Sequence, residues 1–184
     1  ALDAAPPAPQ TPESPAAFLA QLSSATAVFF GGGDESRIMD VLADAPLAEA
    51  LKAKYRAGAP FGGTSAGTAI MSPLMFTGEG EPESLDAARY GTRAGLGLLA
   101  RTLVDQHFLK RKRTNRLLAL MLAGKAALGL GIDEGTALAV EDGRRARVVG
   151  SSQVLAVSRN ANGSLVLTVL RAGQRIDLER LRKN

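Results

Sequence analysis

The stretch Phe61-Gly62-Gly63-Thr64-Ser65-Ala66-Gly67 contains the pattern Gly-x-Ser-x-Gly, which is typical of a sharp turn between a buried strand and a helix. Such a turn raises its serine hydroxyl clear of a parallel sheet, and the close approach of strand and helix leaves little room for side chains. The glycines and Ala66 around Ser65 meet that requirement. An ordinary glycine-rich turn would also satisfy the pattern. We therefore treat Ser65 as a candidate nucleophile that needs a partner.

The segment Asp105-Gln106-His107-Phe108 contains the single histidine of the chain. A serine hydroxyl is a weak nucleophile at neutral pH and needs a base, which imidazole supplies because its ordinary pKa is about 6.5. Ser65 and His107 are far enough apart in the sequence to lie on different elements, as a nucleophile and its base commonly do. If Ser65 attacks a carbonyl, His107 is the histidine that can assist it.

Composition limits both the size of the fold and the chemistry open to it. With 184 residues, 46% of them hydrophobic, we expect one domain over residues 1–184 with a buried core. The lack of cysteine excludes disulfides, thiolate metal sites and cysteine nucleophiles, and one histidine excludes a His-rich zinc site. No apolar run approaches the roughly 20 residues of a membrane-spanning helix, so we expect no membrane partner.

A basic segment follows His107 directly. The formal net charge is +4, and five cationic residues are concentrated here: Lys110, Arg111, Lys112, Arg113 and Arg116. Nucleic-acid binding is one interpretation, but aromatic residues do not alternate with these cations, and it leaves Ser65 and His107 unexplained. We therefore expect no nucleic-acid partner.

Hydrophobic periodicity and turn residues predict alternating helices and strands, followed by a run of strands. We expect extended or loop structure over the proline-rich residues 1–15, and helices over 15–24, with Ser14 as cap, 35–43, 47–57, 66–71 and 109–123. Strands are expected at 25–30, 60–61, within 96–104, and at 129–133, 136–141, 147–149, 153–158 and 164–170, with hairpin turns at Asp142-Gly143 and Asn162-Gly163. Residues 77–93 are predicted to be loop and the arginine-rich tail to be solvated. This order indicates an α/β sheet with an antiparallel extension.

Four segments occur in order along residues 25–158. They are Phe29-Phe30-Gly31-Gly32-Gly33-Asp34, Gly62-Gly63-Thr64-Ser65-Ala66-Gly67, Asp105-Gln106-His107-Phe108 with the arginines after it, and Gly131-Ile132-Asp133-Glu134-Gly135-Thr136-Ala137. Together they resemble the cyanophycinases, serine peptidases related to dipeptidase E. The resemblance implies an α/β fold like that of the class I glutamine amidotransferases, a sheet flanked by helices, here with a β-rich carboxyl-terminal extension.

The resemblance also implies an activity. Cyanophycinases are serine exopeptidases that cleave cyanophycin, a polyaspartate with arginine on each side chain, to β-Asp-Arg dipeptides. The expected partner is thus a peptide polymer or dipeptide, and neither a metal nor an organic cofactor is expected. Family members begin with a strand-helix-strand unit that has no counterpart here. A sheet without it would expose strand edges, so we expect a homodimer, in the cytoplasm unless the protein is exported.

Individual roles follow from the same resemblance. His107 would take the proton of Ser65, and Glu83 would orient the imidazole, although neighbouring loop acids and Asp105 are alternatives. The N–H groups of Gly33 and Ala66 would form the oxyanion hole. The arginines would bind aspartyl carboxylates through bidentate hydrogen bonds. The expected substrate-binding residues are Asp34, Glu35, Asp105, Gln106, Arg111, Arg113 and Arg116.

The sequence departs from the family at two of these segments and leaves two other functions open. Glu35 stands where glutamine is common, which would change contacts to a cationic substrate, and Thr68 stands where alanine is usual. One alternative is an isoaspartyl or Asp-specific dipeptidase of the dipeptidase E type. The other, of a different class, is an inactive relative that binds arginine-rich peptides.

Overall fold

The computed structural model describes residues 15–42 and 45–183, the side chain of Glu79 excepted. Strands β1 and β2 pair in parallel, from Val28 opposite Phe61 to Phe30 opposite Gly63. Their carboxyl ends therefore lie side by side, so the glycine turn after β1 meets the turn that carries Ser65. This first part consists of α1 (Pro15–Ser24), β1 (Val28–Phe30), α2 (Glu35–Val41), α3 (Ala45–Arg56), β2 (Phe61–Gly63) and α4 (Ala66–Ala69).

The predicted helix over 15–24 is confirmed. The proline-rich residues 1–14 lie outside the described residues, and these include Ser14, the expected cap. The same holds for Ala43, the expected end of the next helix. The short strand expected near Phe61 is present as β2, without Pro60. Both results fit the physics of proline, which suits a first helical turn but cannot donate to a strand ladder.

The second part of the chain is dominated by strands. The elements are β3 (Leu74–Gly80), a 3-10 turn (Ala87–Arg89), β4 (Tyr90–Ala94), β5 (Thr102–Gln106), α5 (Thr114–Leu122), β6 (Leu128–Ile132), β7 (Thr136–Glu141), β8 (Arg145–Gly150), β9 (Gln153–Arg159), β10 (Leu165–Arg171), β11 (Arg175–Asp177) and α6 (Leu178–Arg182). β5 and β6 are parallel and lie in a four-stranded sheet of order β10-β9-β6-β5, whose other pairs are antiparallel. A three-stranded antiparallel sheet has the order β11-β8-β7. The predicted α/β class with an antiparallel extension is confirmed.

Residues 77–93 include two paired strands and are not the predicted loop. β3 and β4 are antiparallel, with Leu74 opposite Ala94 and a register shift before Gly80 meets Tyr90. Gly78 has a φ of +91° and Gly80 one of +148°, so the glycines that suggested a loop bend a strand instead. The buried Tyr90 ring packs edge to face on Phe76 and ties this hairpin to the core.

The arginine-rich tail is folded, and the prediction that it is solvated holds for the exposed Arg171, Arg175 and Arg180 but is wrong for Arg182. β11 adds to β8, and Leu178 at the start of α6 is fully buried. Arg182 is also buried, because its guanidinium donates to the Thr102 hydroxyl, the Gly143 carbonyl and the Glu179 carboxylate. These hydrogen bonds replace the water that the polar sequence of the tail suggested.

Helix α5 begins at Thr114 and not at Leu109 as predicted. Lys112 has a φ of +53°, which interrupts a helical path, and the N–H of Arg113 donates to the Phe108 carbonyl within a turn. The inner face of α5 is buried as expected, apart from the half-buried Leu118, and packs with Phe108 against the sheet. The cluster includes Phe76, Tyr90, Leu103, Phe108, Leu117, Leu120, Met121 and Val157.

Candidate active site

Ser65 lies on a strained turn between β2 and α4. Its φ of 52° and ψ of −119° are unusual for a residue with a side chain, and such a conformation costs on the order of 1–3 kcal/mol. A Cβ on Gly63 would overlap the Gly67 carbonyl, and one on Gly67 would overlap the Phe30 carbonyl. The Thr68 hydroxyl donates to the Gly63 carbonyl at 2.7 Å. Two glycines and one hydrogen bond therefore allow strand and helix to approach closely enough to present the Ser65 hydroxyl.

His107 meets Ser65 from the loop that follows β5. Ser65 Oγ lies 2.9 Å from His107 Nε2, so the contact expected from the sequence is present. His107 follows β5 with a φ of 50°, and the fully buried Phe108 after it packs on β6, where a Cβ on Gly131 would overlap its ring. The Phe108 N–H also donates to the Ile132 carbonyl at 3.2 Å. Burial of Phe108 thus fixes the loop that aims the imidazole.

Glu134, and not Glu83, contacts the second imidazole nitrogen. His107 Nδ1 lies 2.9 Å from Glu134 Oε1, which completes a chain of hydrogen-bonded groups from Ser65. Glu83 lies exposed on the turn between β3 and β4, and no hydrogen bond joins it to His107. The structure therefore corrects the expected placement of the orienting acid. The physical reason is that β5 and β6 are parallel neighbours whose carboxyl ends meet, which brings the loops of His107 and Glu134 together.

Two backbone N–H groups lie free on the Ser65 side of the site. In the described loops, neither Gly33 nor Ala66 donates its N–H to a backbone carbonyl. The glycine turn lies directly against the nucleophile, since a Cβ on Gly32 would be 3.3 Å from Ser65 Cβ. Gly33 has a φ of +137°, which only glycine adopts readily. That the N–H groups of Gly33 and Ala66 bind the oxyanion stays a prediction.

Asp105 was expected to face the substrate, but it is buried in an ion pair. Its carboxylate binds the Arg116 guanidinium in a bidentate manner, with Nε to Oδ2 at 2.7 Å, and accepts the Gln106 N–H at 2.8 Å. Asp105 is 1% and Arg116 7% exposed. The guanidinium also lies 4.4 Å from the centre of the Phe76 ring. Arg116 is therefore held by the protein and not free for a substrate carboxylate, because buried charges need partners.

Arg113 also contacts this ion pair, with Nη1 3.8 Å from Asp105 Oδ1 and its side chain 15% exposed, whereas Arg111 is exposed. Arg113 donates one N–H to the Gln106 carbonyl at 2.9 Å, and burial followed by the neighbouring Arg116 cation lowers the pKa of Arg113. The exposed Arg111 side chain makes no ion pair with another described residue. Gln106 Oε1 is buried without a hydrogen-bond partner among the described residues. A cavity of about 190 Å³ lies here, lined by Gly78, Gly80, Pro82, Tyr90, Arg111, Lys112, Arg113 and Arg116.

Asp34 and Glu35 occupy the start of α2. Asp34 caps the helix, because its Oδ1 accepts the N–H groups of Ser36 at 2.8 Å and Arg37 at 3.1 Å. One carboxylate oxygen is thus committed to the backbone, while the side chain is 54% exposed, so a substrate contact by Asp34 stays a prediction. Glu35 is buried. Burial and Arg116 lower the pKa of Arg113, and the charge of Glu35 opposes this larger effect by raising that pKa. Of the two, Glu35 is the better placed to affect the cationic cavity.

Residues 15–42 and 45–183, which the structure describes, contain neither a metal-binding cluster nor a membrane-spanning helix. They contain no group of three or more histidine, cysteine, aspartate or glutamate side chains arranged to hold a metal ion. They also contain no helix that is long and apolar enough to cross a membrane.

Known proteins are similar to this chain in sequence and in fold. Cyanophycinase from Geminocystis herdmanii is 38% identical over 137 residues, which are 74% of this chain and 50% of that protein. Cyanophycinase from Trichormus variabilis is 37% identical over 139 residues, or 75% of this chain and 47% of its own. Peptidase E from Streptomyces coelicolor is 44% identical over 59 residues, 32% of this chain and 24% of its own. The chain spans about half the length of the curated cyanophycinases it matches.

A solved structure and a family model agree with these relatives. The crystal structure of a peptidase from an acI-B1 actinobacterium superposes with a TM-score of 0.68 at 24% identity, covering 89% of this chain and 64% of that one. It supports the α/β fold that the sequence predicted. The model of peptidase family S51 matches residues 8–148, which include Ser65, His107 and Glu134. The resemblance inferred from the four segments is confirmed: the chain belongs to peptidase family S51.

Proposed function

We propose that this chain carries the catalytic centre of a serine exopeptidase in which Ser65 is the nucleophile. The observation that carries the proposal is the continuous contact from Ser65 Oγ through His107 Nε2 and Nδ1 to Glu134 Oε1. In such an arrangement the imidazole removes the hydroxyl proton, while the carboxylate orients the ring and stabilises its cationic form. Glu134 takes the role that the sequence assigned to Glu83.

The reaction would proceed through an acyl-enzyme. Ser65 Oγ bonds to the scissile carbonyl carbon as its proton moves to His107 Nε2, and the N–H groups of Gly33 and Ala66 bind the oxyanion. The tetrahedral intermediate then expels the amine, which receives the proton from His107, and an ester on Ser65 remains. Water attacks that ester with His107 again as base, which releases the carboxylic acid and restores the hydroxyl.

We further propose that the substrate is cyanophycin and the product β-Asp-Arg. The polymer offers free carboxylates, which guanidinium groups bind well. Arg111 and Arg113 supply two such groups at the cavity beside the imidazole loop. The buried Asp105–Arg116 pair would support this wall of the cavity. Two relatives that match about three quarters of the chain are cyanophycinases, which favours this substrate.

An isoaspartyl or Asp-specific dipeptidase is the second candidate. The matching stretch of peptidase E supports it, although that stretch covers only 32% of this chain. A dipeptide would use the same nucleophile and would also place its carboxylate near Arg111 and Arg113. The two functions differ in the length of substrate that the groove accepts.

Product analysis separates these functions. The chain and its Ser65→Ala variant are each incubated with purified cyanophycin, an isoaspartyl dipeptide and an α-linked Asp dipeptide, and β-Asp-Arg is quantified by mass spectrometry. Release from the polymer by the parent but not by the variant is expected. Cleavage of dipeptides alone would favour the dipeptidase. Equal release by the parent and by Ser65→Ala would overturn the assignment of Ser65 as the nucleophile.

A further inference from the structure

Asp133 directly precedes Glu134 in its loop, and its side chain contacts the loop that carries His107. Its Oδ1 accepts the N–H groups of two successive residues, Leu109 and Lys110, each at 3.0 Å. These two residues follow His107 closely in sequence, whereas Glu134 is the neighbour of Asp133 itself. One carboxylate oxygen therefore connects the backbone of the imidazole loop to the loop of its orienting acid.

The other carboxylate oxygen fixes Asp133 to the antiparallel extension. Oδ2 accepts the Ser152 hydroxyl at 2.8 Å, and the Asp133 N–H donates to the Gln153 carbonyl at 3.2 Å. The N–H of Ser152 in turn donates to the Thr136 hydroxyl at 2.9 Å. Asp133 is thereby held on both sides, by its backbone and by its second oxygen, while Oδ1 is directed at the imidazole loop.

The imidazole loop needs such support because its own backbone is irregular. His107 has a φ of 50° and Lys112 one of 53°, conformations that residues with side chains adopt only when the surroundings hold them. Leu109 and Lys110 lie between these two positions and are exposed, so side-chain burial at these two positions does little to fix them. The Asp133 carboxylate binds both of their N–H groups.

We propose that Asp133 is a positioning residue, which holds the loop of His107 in register with Glu134 so that the imidazole reaches Ser65. This inference rests on the proposed function, in which His107 is the base. A catalytic group displaced by about 1 Å can lose on the order of 100-fold in rate. Substrate binding at the arginines would be little affected, because Asp133 contacts neither Arg111 nor Arg113 through its side chain.

The ionisation of Asp133 is consistent with this role. Partial burial raises the pKa of the carboxyl, but hydrogen bonds from the Lys110 backbone, the Ser152 side chain and the Glu134 and Leu109 backbones outweigh it, so the pKa is lowered. An ionised carboxylate only accepts hydrogen bonds, and it binds N–H groups more strongly than a neutral amide oxygen does.

The test compares Asp133→Ala, Asp133→Asn and Ser152→Ala in steady-state kinetics with the full chain. We expect kcat of Asp133→Ala to fall about 100-fold with KM within about threefold. Asparagine keeps an acceptor for the two N–H groups, so we expect Asp133→Asn to lose about fivefold in kcat. Ser152→Ala is the matched control, since it removes a bond to the same carboxylate but leaves Oδ1 in place, and we expect it within about twofold of the parent.

Three results would overturn the inference. They are a folded Asp133→Ala with the parent's kcat, a loss in Ser152→Ala as large as in Asp133→Ala, or a loss that appears in KM alone. If Asp133→Ala does not fold, Asp133→Asn decides, and an unchanged kcat rejects the positioning role.

A spectroscopic readout separates this inference from the proposed function. The Nδ1 proton of His107, hydrogen-bonded to Glu134, should give a downfield NMR signal in the parent, in Asp133→Asn and in Ser152→Ala, and lose it in Asp133→Ala. If the parent hydrolyses none of the substrates but the signals follow this order, the proposed function fails and the positioning role stands. If activity is present and the signal is the same in all variants, the positioning role fails alone.

Discussion

Replacement of Glu134 by glutamine should slow the reaction because it removes the charge beside His107. Glutamine can keep a hydrogen bond to Nδ1, so the change isolates the electrostatic contribution to the imidazolium. Two unit charges about 4 Å apart interact by about 1 kcal/mol in water and about 4 kcal/mol at an effective dielectric of 20. The Glu134 side chain is 45% and that of His107 24% exposed, so screening places the value between these limits, at about 2 kcal/mol. That corresponds to a loss of about 30-fold in kcat.

Glu134→Ala should be slower still, about 300-fold below the parent, because the imidazole then loses its orienting partner as well. The assay is the initial rate of β-Asp-Arg release at saturating substrate, with circular dichroism to verify folding. Glu83→Gln is the matched control and should stay within about twofold of the parent, since Glu83 is an exposed loop acid. A Glu134→Gln variant with the parent's kcat, or a slow Glu83→Gln variant, would rule out Glu134 as the acid that assists His107.

Three further outcomes follow from the packing and the ion pairs. Gly63→Ala should lower the free energy of unfolding by about 2 kcal/mol or more in urea titrations. Gly31 has open space around it, so Gly31→Ala should change this free energy by less than about 0.5 kcal/mol. Equal effects of the two substitutions would count against the close approach of strand and helix at the turn. Asp105→Asn should cost about 3 kcal/mol in the same assay because Arg116 is left unpaired, and adding Arg116→Met should recover much of the loss; additive losses would be the contrary result. The folded-state pKa of Asp133 is lowered, so its contribution to stability is complete above the ordinary aspartate pKa of about 3.9 and is lost as the pH falls through the folded-state pKa. Melting temperatures measured from pH 5 to 2 should therefore fall more steeply for the parent than for Asp133→Asn, and parallel curves would contradict this.

Local sequence signals were sufficient where a backbone conformation requires particular residue types. The turn around Ser65 needs glycine at positions 63 and 67, because any Cβ would strike a neighbouring carbonyl, and this requirement is visible in the sequence. The hairpin turn at Asp142-Gly143 is similar, since both residues have positive φ angles. Such sites can be predicted because the reason for the residue lies within a few positions of it.

Contacts between distant residues were not predictable in the same way. Glu134 reaches His107 only because β5 and β6 are adjacent and parallel, and the sequence alone offered several acids for that place. Asp105 and Arg116 were expected to bind substrate because both are charged and flank His107 in the sequence, but their mutual hydrogen bonds allow both to be buried. A charged residue's partner, and hence its role, depends on tertiary packing that periodicity does not encode.

The hairpin of β3 and β4 was missed for a related reason. Glycine and charge indicate a loop when they are read locally, yet Gly78 and Gly80 bend a strand whose Phe76 and Tyr90 are buried. The register shift between Phe76 and Gly80 disrupts the alternation of apolar and polar residues by which a strand is recognised. Long-range burial therefore overrode the local signal.

Activation of Ser65 by His107 can be measured with a fluorophosphonate, which modifies activated serines. The parent, Ser65→Ala and His107→Ala are treated with it, and intact-mass measurement and peptide mapping follow. We predict a single adduct on Ser65 in the parent, none in Ser65→Ala, and labelling slowed by at least about 100-fold in His107→Ala. An adduct on a different residue, or labelling of Ser65 at the parent's rate without the imidazole, would contradict the account.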